Sequence, residues 1–271
     1  MAPSSHTTLT AEERTEMIDP KVLNRIRHGI CAVGYLTVPL ETYNEDASRP
    51  YFKVVGTGFL VRPTIAITNR HVIEALAERQ ADLGFPDKQQ MLMFIRMGEK
   101  GHLQPVIRMI RSTFTADNAG FDVGFIEFQR EPEEHFQGIE PLDLDESYAL
   151  RVTDAVAVCG YPYGEAMLQR DGKVYRWGPV VQQGHVSAVS PFDGVPDGYL
   201  PSEVLLDVRI AGGMSGSPIL RPADGRVVGI VHSTWESTTA LGLPLITAEI
   251  DEWLSQMAAS ISTGVESGHA V

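Results

Sequence analysis

The chain has 271 residues, of which 43% are hydrophobic and 21% are charged, as in an ordinary globular protein. Acidic residues outnumber basic ones by 35 to 22, and the resulting formal net charge of −13 disfavours binding to nucleic acids or to anionic membranes. No apolar run approaches the roughly 20 residues that a membrane helix requires, and the N-terminus lacks the pattern of a secretory signal. We therefore expect a cytoplasmic protein without nucleic-acid or membrane partners.

The predicted elements begin with a helix and continue as strands. Thr10 opens a Thr-Ala-Glu-Glu capping box after a polar start, and the helix-like stretch covers residues 11–26. From residue 30 onward, short β-type runs alternate with turn residues. These runs lie at 30–38, 52–61, 65–69, 91–96, 104–112, 122–129, 153–159, 181–190, 203–210, 217–220, 226–233 and 243–248. About a dozen short strands with few helices predict an all-β barrel or sandwich.

An acidic stretch divides the strands into two groups of about six. Residues 131–147 contain seven acidic residues and no Lys or Arg, which favours a solvated connector, with a partner-binding surface as the alternative. Near the end of the chain, an amphipathic stretch at 248–259 predicts a helix before a Gly/Ser-rich tail. The predicted units are a tail and helix at 1–27, strand groups at 28–130 and 148–247, the connector at 131–147, and a helix with a flexible tail at 248–271.

The sequence favours neither a disulfide nor a metal site. Its two cysteines, Cys31 and Cys159, each lie in a strand-like apolar run, and without a secretory signal we expect two buried free thiols. Neither cysteine belongs to a Cys-x-x-Cys pair. The spacing of His71 and Glu74 is compatible with metal binding, but no third ligand is evident. We expect no metal and no cofactor.

The most informative segment is residues 212–218, which read Gly-Gly-Met-Ser-Gly-Ser-Pro. This pattern places a serine hydroxyl on a tight turn, where the amides of Gly213 and Ser215 can converge beside it as an oxyanion hole. Glycine and proline also mark ordinary turns, so the motif alone is weak evidence.

Two upstream residues complete a catalytic set. His71 follows an apolar strand within Thr-Asn-Arg-His, and Asp122 precedes another apolar run. A serine hydroxyl is a poor nucleophile at neutral pH, so an imidazole must accept its proton and a carboxylate must orient that imidazole. We assign Ser215 as nucleophile, His71 as base and Asp122 as the orienting acid, with Asp117 as the alternative acid.

These segments resemble the chymotrypsin-fold serine proteases, specifically the bacterial trypsin-like branch that includes the HtrA/Deg proteases. The order His, Asp, Ser differs from that of α/β-hydrolases, whose nucleophile comes first and lies in Gly-x-Ser-x-Gly. Weaker motifs extend the resemblance over about residues 28–258, at 56–61, 154–164, 184–189, 227–231 and 241–245. The resemblance implies two six-stranded antiparallel β-barrels, the first with His71 and Asp122 and the second with Ser215. It implies a serine endopeptidase acting on polypeptides, with a non-catalytic peptide-binding module or an esterase as alternatives.

The resemblance also places a substrate pocket around the nucleophile. Arg209 falls where trypsin-like relatives keep the residue at the pocket base, and would select an acidic side chain with help from His232. The alternative is that Arg209 pairs with Asp207 on the same strand face, and that His232 lies beside Asp122. The backbone of residues 232–234 should pair with an extended peptide as an added strand. The predicted substrate-binding residues are Arg209, Ile210, Ala211, Gly212, Val231, His232, Ser233 and Thr234.

Met214 occupies the position where secreted trypsins have an acid that captures a freshly cut N-terminus. We therefore expect no activation by that route, and the loop at 165–180 is a candidate gate. No extension resembling the PDZ domain of HtrA proteins is evident, so targeting is expected from the pocket, the N-terminal helix or a separate protein partner or activator. The oligomeric state stays open.

Overall fold

The computed structural model describes residues 18–46, 49–81, 90–97, 103–115, 122–129, 138–162, 167–170, 173–190, 203–235, 239–245, 250 and 252–255. The helices within these ranges are α1 (Pro20–Gly29), α2 (Leu40–Glu45) and α3 (Arg70–Ala81). The strands are β1 (Ile30–Leu36), β2 (Phe52–Arg62), β3 (Ile65–Thr68), β4 (Gln90–Met97), β5 (Leu103–Thr115), β6 (Gly124–Phe128), β7 (Ala155–Gly160), β8 (Met167–Arg170), β9 (Lys173–Trp177), β10 (Val180–Ser190), β11 (Glu203–Arg209), β12 (Pro218–Leu220), β13 (Val227–Trp235) and β14 (Thr239–Pro244).

Twelve of these strands form two closed antiparallel barrels. The first barrel has the order β1-β2-β3-β6-β5-β4, and β1 closes it by pairing with both β2 and β4. The second has the order β10-β11-β14-β13-β12-β7, and β7 closes it by pairing with both β10 and β12. Closure gives each strand a neighbour on both sides along part of its length. The predicted all-β fold of two six-stranded barrels is confirmed.

Strand β11 shows how the residue pattern selects the inner face of a barrel. Val204, Leu206 and Val208 are buried, whereas Asp207 and Arg209 are exposed. Successive side chains of a strand point to opposite faces, so the apolar set lines the core and the charged set faces outward. Arg209 therefore lies on the outer face of the second barrel.

The N-terminal helix begins later than the residue pattern predicts. Asp19 is extended, with φ −60° and ψ 132°, and its carboxylate accepts a hydrogen bond from the amide of Lys21 at 2.6 Å. Pro20 then occupies the first helical position, where its missing N–H is not needed, and it disfavours helical backbone in the residue before it. A continuous helix over residues 11–26 is therefore wrong at positions 18 and 19, and residues 11–17 lie outside the described part of the chain.

The acidic connector, described from residue 138, packs against both barrels instead of running through solvent. Leu142 is buried, and its amide donates to the carbonyl of Leu60 in β2 at 2.8 Å. The amide of Asp145 donates to the carbonyl of Val227 in β13 at 2.9 Å. The acidic composition did not predict this packing, because the number of charges in a segment does not show which of its side chains are buried.

The described residues near the C-terminus pack against the first barrel. Residues 250 and 252–255 are helical, which is the described part of the helix predicted at 248–259. Trp253 is buried and packs against Phe125 of β6 with ring centroids 6.1 Å apart. Of the helices that the structure describes, none is both long and apolar enough to cross a membrane.

Three further features complete the fold. Strands β8 and β9 form a separate hairpin within the region predicted as a gate, and neither was predicted as a strand. The last barrel strand, β14, begins earlier than the predicted run at 243–248.

Cys31 and Cys159 are fully buried and unpaired, and burial raises the pKa of both thiols, that of Cys159 to about 12. Such thiols carry little thiolate and are chemically inert.

Candidate active site

His71 lies in the first turn of α3, directly after β3. Amide groups in the first turn of a helix have no acceptor within the helix. The amide of His71 donates instead to Oδ1 of Asp122 at 3.0 Å. The helix macrodipole also favours a carboxylate at this end. The start of α3 thus brings the predicted base and the predicted acid side by side.

The same carboxylate orients the imidazole ring. His71 Nδ1 lies 2.6 Å from Oδ2 of Asp122. A carboxylate only accepts hydrogen bonds, so Nδ1 donates and Nε2 keeps its lone pair. The His71 side chain is 45% exposed and that of Asp122 is 30% exposed, so the pair opens toward solvent. This arrangement suits a general base whose ring is held by an acid.

Asn69 holds the acid from its backbone side and had no predicted role. Its side chain is fully buried, and Nδ2 donates to the main-chain carbonyl of Asp122 at 2.8 Å. Its own carbonyl accepts from the amide of Ile73 at 3.4 Å, the first bond of α3. Thr-Asn-Arg-His carries the signal of a helix-capping asparagine, but that signal does not reveal this contact, because Nδ2 donates to Asp122 and Oδ1 has no hydrogen-bond partner among the described residues.

Ser215 lies where two consecutive β-turns meet. One turn covers residues 211–214 and the other 214–217, closed by amide-to-carbonyl hydrogen bonds of 3.2 and 3.0 Å. The third residue of each turn is a glycine with positive φ, 94° at Gly213 and 85° at Gly216. This is the sign pattern of type II turns, which need a residue without Cβ at that position. The turn conformation therefore explains why glycine occupies positions 213 and 216.

Backbone contacts from both barrels hold this loop. The carbonyl of Ser215 accepts from the amide of Thr57 in β2 at 2.8 Å. The amide of Gly216 donates to the carbonyl of Val231 in β13 at 2.9 Å. A Cβ on Gly216 would overlap the Thr57 carbonyl and the Thr68 hydroxyl. The proposed nucleophile is thus positioned at the junction of the two barrels.

These groups border one open cleft of about 510 Å³. Among the described residues, the cleft is lined by His71, Asp122, Ile210, Ala211, Gly212, Ser215, His232, Ser233 and Thr234. The structure therefore brings the three proposed catalytic residues together with six of the predicted substrate-binding residues. The roles of these residues, and of the Gly213 and Ser215 amides as an oxyanion hole, stay predictions.

Arg209 and Val231, two other predicted pocket residues, lie elsewhere. Arg209 is exposed on the outer face of β11 and is not among the described residues that line the cleft. Its alternative partner Asp207 accepts from the amide of His185 and lies 3.6 Å from Nδ1 of that ring. Val231 is buried, and its amide donates to the carbonyl of Ser217 at 2.9 Å. Val231 thus supports the nucleophile loop from behind.

His232 lines the cleft and has a partner that the sequence did not suggest. Its Nε2 lies 3.1 Å from Oε1 of Glu203, the first residue of β11. The His232 side chain is only 20% exposed. The acid that holds this ring therefore comes from its own barrel, on the opposite side of β14.

The sequence allows two alternatives for this site: a metal bound by His71 and Glu74, and Asp117 as the acid in place of Asp122. Glu74, considered as a metal ligand with His71, forms an ion pair with Arg70 at 2.8 Å. Asp117 lies outside the described residues. Within the described ranges, no group of three or more His, Cys, Asp or Glu side chains is arranged to hold a metal ion.

Comparisons with known proteins agree with this architecture. No curated protein matches the chain. A serine endoprotease from Yersinia pestis has a similar fold, with a TM-score of 0.54 at 16% identity over 92% of this chain and 67% of the other. An HtrA-type protease solved with a decapeptide gives a TM-score of 0.52 at 14% identity over 90% of this chain and 67% of the other. The family model for the trypsin-like peptidase domain matches residues 56–230, more than half of the chain. The protein therefore belongs to the trypsin-like peptidase family.

Proposed function

We propose that this protein is a serine endopeptidase that hydrolyses peptide bonds through an acyl-enzyme. The observation that carries the proposal is the 2.6 Å contact between His71 and Asp122 in the cleft that Ser215 also lines. A carboxylate-held imidazole beside a serine on a glycine turn is the set of groups that acyl transfer requires. Family membership supports a peptidase with polypeptide substrates.

The chemistry follows from the positions of these groups. Ser215 Oγ attacks the carbonyl carbon of the substrate while His71 Nε2 takes the hydroxyl proton. The amides of Gly213 and Ser215 donate to the oxyanion that forms. His71 then gives its proton to the leaving amine, and an acyl-serine ester remains. Water then attacks that ester while His71 takes a proton from it, and His71 returns this proton to Ser215 Oγ as the acid product leaves.

Strand β13 supports binding of an extended peptide. It pairs with β14 as far as Trp235, but β12 pairs only with residues up to Ile230. Beyond Val231, the edge of β13 that faces the cleft carries no strand from the described part of the chain. A peptide can add to such an edge through main-chain hydrogen bonds. Residues 232–234 are thus the proposed docking strand, and a cytoplasmic location and a protein activator stay predictions.

A fluorophosphonate probe tests the proposed nucleophile. We expect the probe to label wild-type protein, and Ser215→Ala to abolish labelling and lower peptide turnover by about 10⁴-fold or more. Ser187→Ala, which removes an exposed serine of β10, is the matched control and should behave as wild type.

Mass spectrometry of the products separates the alternatives. New termini inside a peptide substrate support an endopeptidase, whereas hydrolysis of esters alone would indicate an esterase. Peptide binding without labelling or turnover would contradict the proposal and indicate a non-catalytic module.

A further inference from the structure

Thr57 is a fully buried residue of β2 at the junction of the two barrels, and each of its polar groups has a partner. Its amide donates to the carbonyl of Ser215 at 2.8 Å, and its carbonyl accepts from the hydroxyl of Thr68 at 2.6 Å. Its own hydroxyl donates to the carbonyl of Gly213 at 2.8 Å and accepts from the amide of Tyr161 at 2.9 Å. One residue thus joins β2, β3, the nucleophile loop and the chain after β7.

The direction of the hydroxyl proton follows from this set of contacts. A threonine hydroxyl has one proton to donate and two lone pairs that accept. The Tyr161 amide can only donate, and the Gly213 carbonyl can only accept. The proton therefore points at Gly213, and the amide of Tyr161 occupies a lone pair. This hydroxyl has a single arrangement that satisfies both neighbours.

Thr57 holds two carbonyls of the segment that carries the proposed oxyanion donors. Its hydroxyl holds the carbonyl of Gly213, and its amide holds the carbonyl of Ser215, with only Met214 between them. Gly213 has a φ of 94° and, as a glycine, has no side chain to restrict its rotation. The Ser215 amide lies between these two anchored carbonyls, and the direction of the Gly213 amide relative to its own anchored carbonyl depends on the φ and ψ torsions of Gly213.

We propose that the Thr57 hydroxyl is a positioning group for the oxyanion hole and lowers the transition-state energy without touching the substrate. This inference rests on the proposed function, because it concerns the same catalytic loop. Oxyanion donors act only when they are aimed at the charge that develops in the transition state. Loss of the hydroxyl should therefore lower kcat and leave KM nearly unchanged.

The test removes the hydroxyl and keeps the shape of the side chain. Thr57→Val leaves the Gly213 carbonyl and the Tyr161 amide without their partner, and we expect kcat to fall by about 10- to 100-fold with KM within about threefold. Thr57→Ser retains the hydroxyl and should restore kcat to within about threefold of wild type. A peptide boronate, which forms a tetrahedral adduct on serine, should lose affinity for Thr57→Val in proportion to kcat/KM.

Thr68→Val is the matched control for loss of a buried hydroxyl bonded to the same residue. Thermal unfolding of both variants separates stability from catalysis, and we expect Thr68→Val to change kcat much less than Thr57→Val does. If Thr57→Val does not fold, Thr57→Cys supplies a weak donor of similar size and should show a reduced kcat.

Two results would contradict the proposal. A folded Thr57→Val or Thr57→Cys protein with the kcat of an active wild type would exclude the positioning role and leave the proposed function intact. Equal losses of kcat in Thr57→Val and Thr68→Val would indicate that both substitutions act by destabilising the fold. A wild type that neither reacts with fluorophosphonate nor cleaves peptides would instead contradict the proposed function itself.

Discussion

Two histidines line the same cleft, each in contact with a carboxylate, and the two pairs differ in which ring nitrogen the acid holds. Asp122 contacts Nδ1 of His71 at 2.6 Å, whereas Glu203 contacts Nε2 of His232 at 3.1 Å. In the first pair, the distal nitrogen stays available for proton transfer with Ser215. In the second, the carboxylate already occupies that nitrogen. The same two residue types thus give a proposed base in one place and a structural contact in the other.

The difference has a local cause in each element. Asp122 accepts from both the ring and the amide of His71, so the start of α3 holds the ring by its proximal nitrogen. His232 lies where the pairing of β13 with β14 shifts register, between Val231 and Ser233. From this position its side chain reaches Glu203 in β11. Proximity of a histidine to an acid is therefore insufficient to identify a base.

The largest expected effect comes from changing the first pair. Asp122→Asn places an amide group opposite Nδ1 and favours the wrong imidazole tautomer, so we expect kcat to fall by about 10⁴-fold. Peptide hydrolysis and the rate of fluorophosphonate labelling measure this loss. Thermal unfolding provides the control for an intact fold. A loss of less than about tenfold would remove Asp122 from the triad and favour Asp117.

The same change in the second pair should have a much smaller effect. Glu203→Gln keeps a hydrogen-bonding group near His232, and we expect kcat within about twofold and KM within about tenfold of wild type. A double-mutant cycle on the free energy of unfolding, combining Glu203→Gln with His232→Gln, should give a coupling free energy of at most about 1 kcal/mol. This is the range expected for partly exposed ion pairs. A kcat loss similar to that of Asp122→Asn would make this pair part of proton transfer.

The smallest expected effect concerns a third group of charges, in which an arginine and not a histidine contacts the carboxylates. Arg221 lies 2.9 Å from Asp145 and also binds Asp224. A hydrogen bond from Ser147 and the charge of Arg221 lower the pKa of Asp145, and the hydrogen bond from Arg221 lowers that of Asp224. Because the folded-state pKa values lie below the unfolded ones, these carboxylates stabilise the protein above about pH 4. That stabilisation is lost as the pH falls through the lowered values.

Urea unfolding of wild type and Arg221→Gln at pH 6 and pH 3 tests this pH dependence. We expect the variant to be less stable at pH 6 by about 1 kcal/mol, and the difference to shrink at pH 3. A difference that stays constant or grows on acidification would contradict the assignment. Unlike Asp122→Asn, this substitution should leave kcat unchanged.

Much of the fold was predictable because its signals are local. The alternation of buried Val204, Leu206 and Val208 with the less buried Leu205, Asp207 and Arg209 places β11 in a half-buried sheet. The glycine-rich motif around Ser215 predicts a tight turn, and the structure has turns there with positive φ at Gly213 and Gly216. The packing of Leu142 was not predictable, since seven acids in its segment outweigh one buried side chain.

By itself, the sequence predicted which residues could serve as nucleophile, base and acid of a serine peptidase, and near which local elements they lie. Those features depend on neighbours a few positions apart, through turn conformation and strand alternation. Only the tertiary structure decided that Glu203 meets His232, and that Arg209 lies outside the cleft. His71 and Asp122 are 51 positions apart, and Thr57 and Gly213 are 156 positions apart. Contacts over such separations depend on how closed barrels register and pack, which no local pattern specifies.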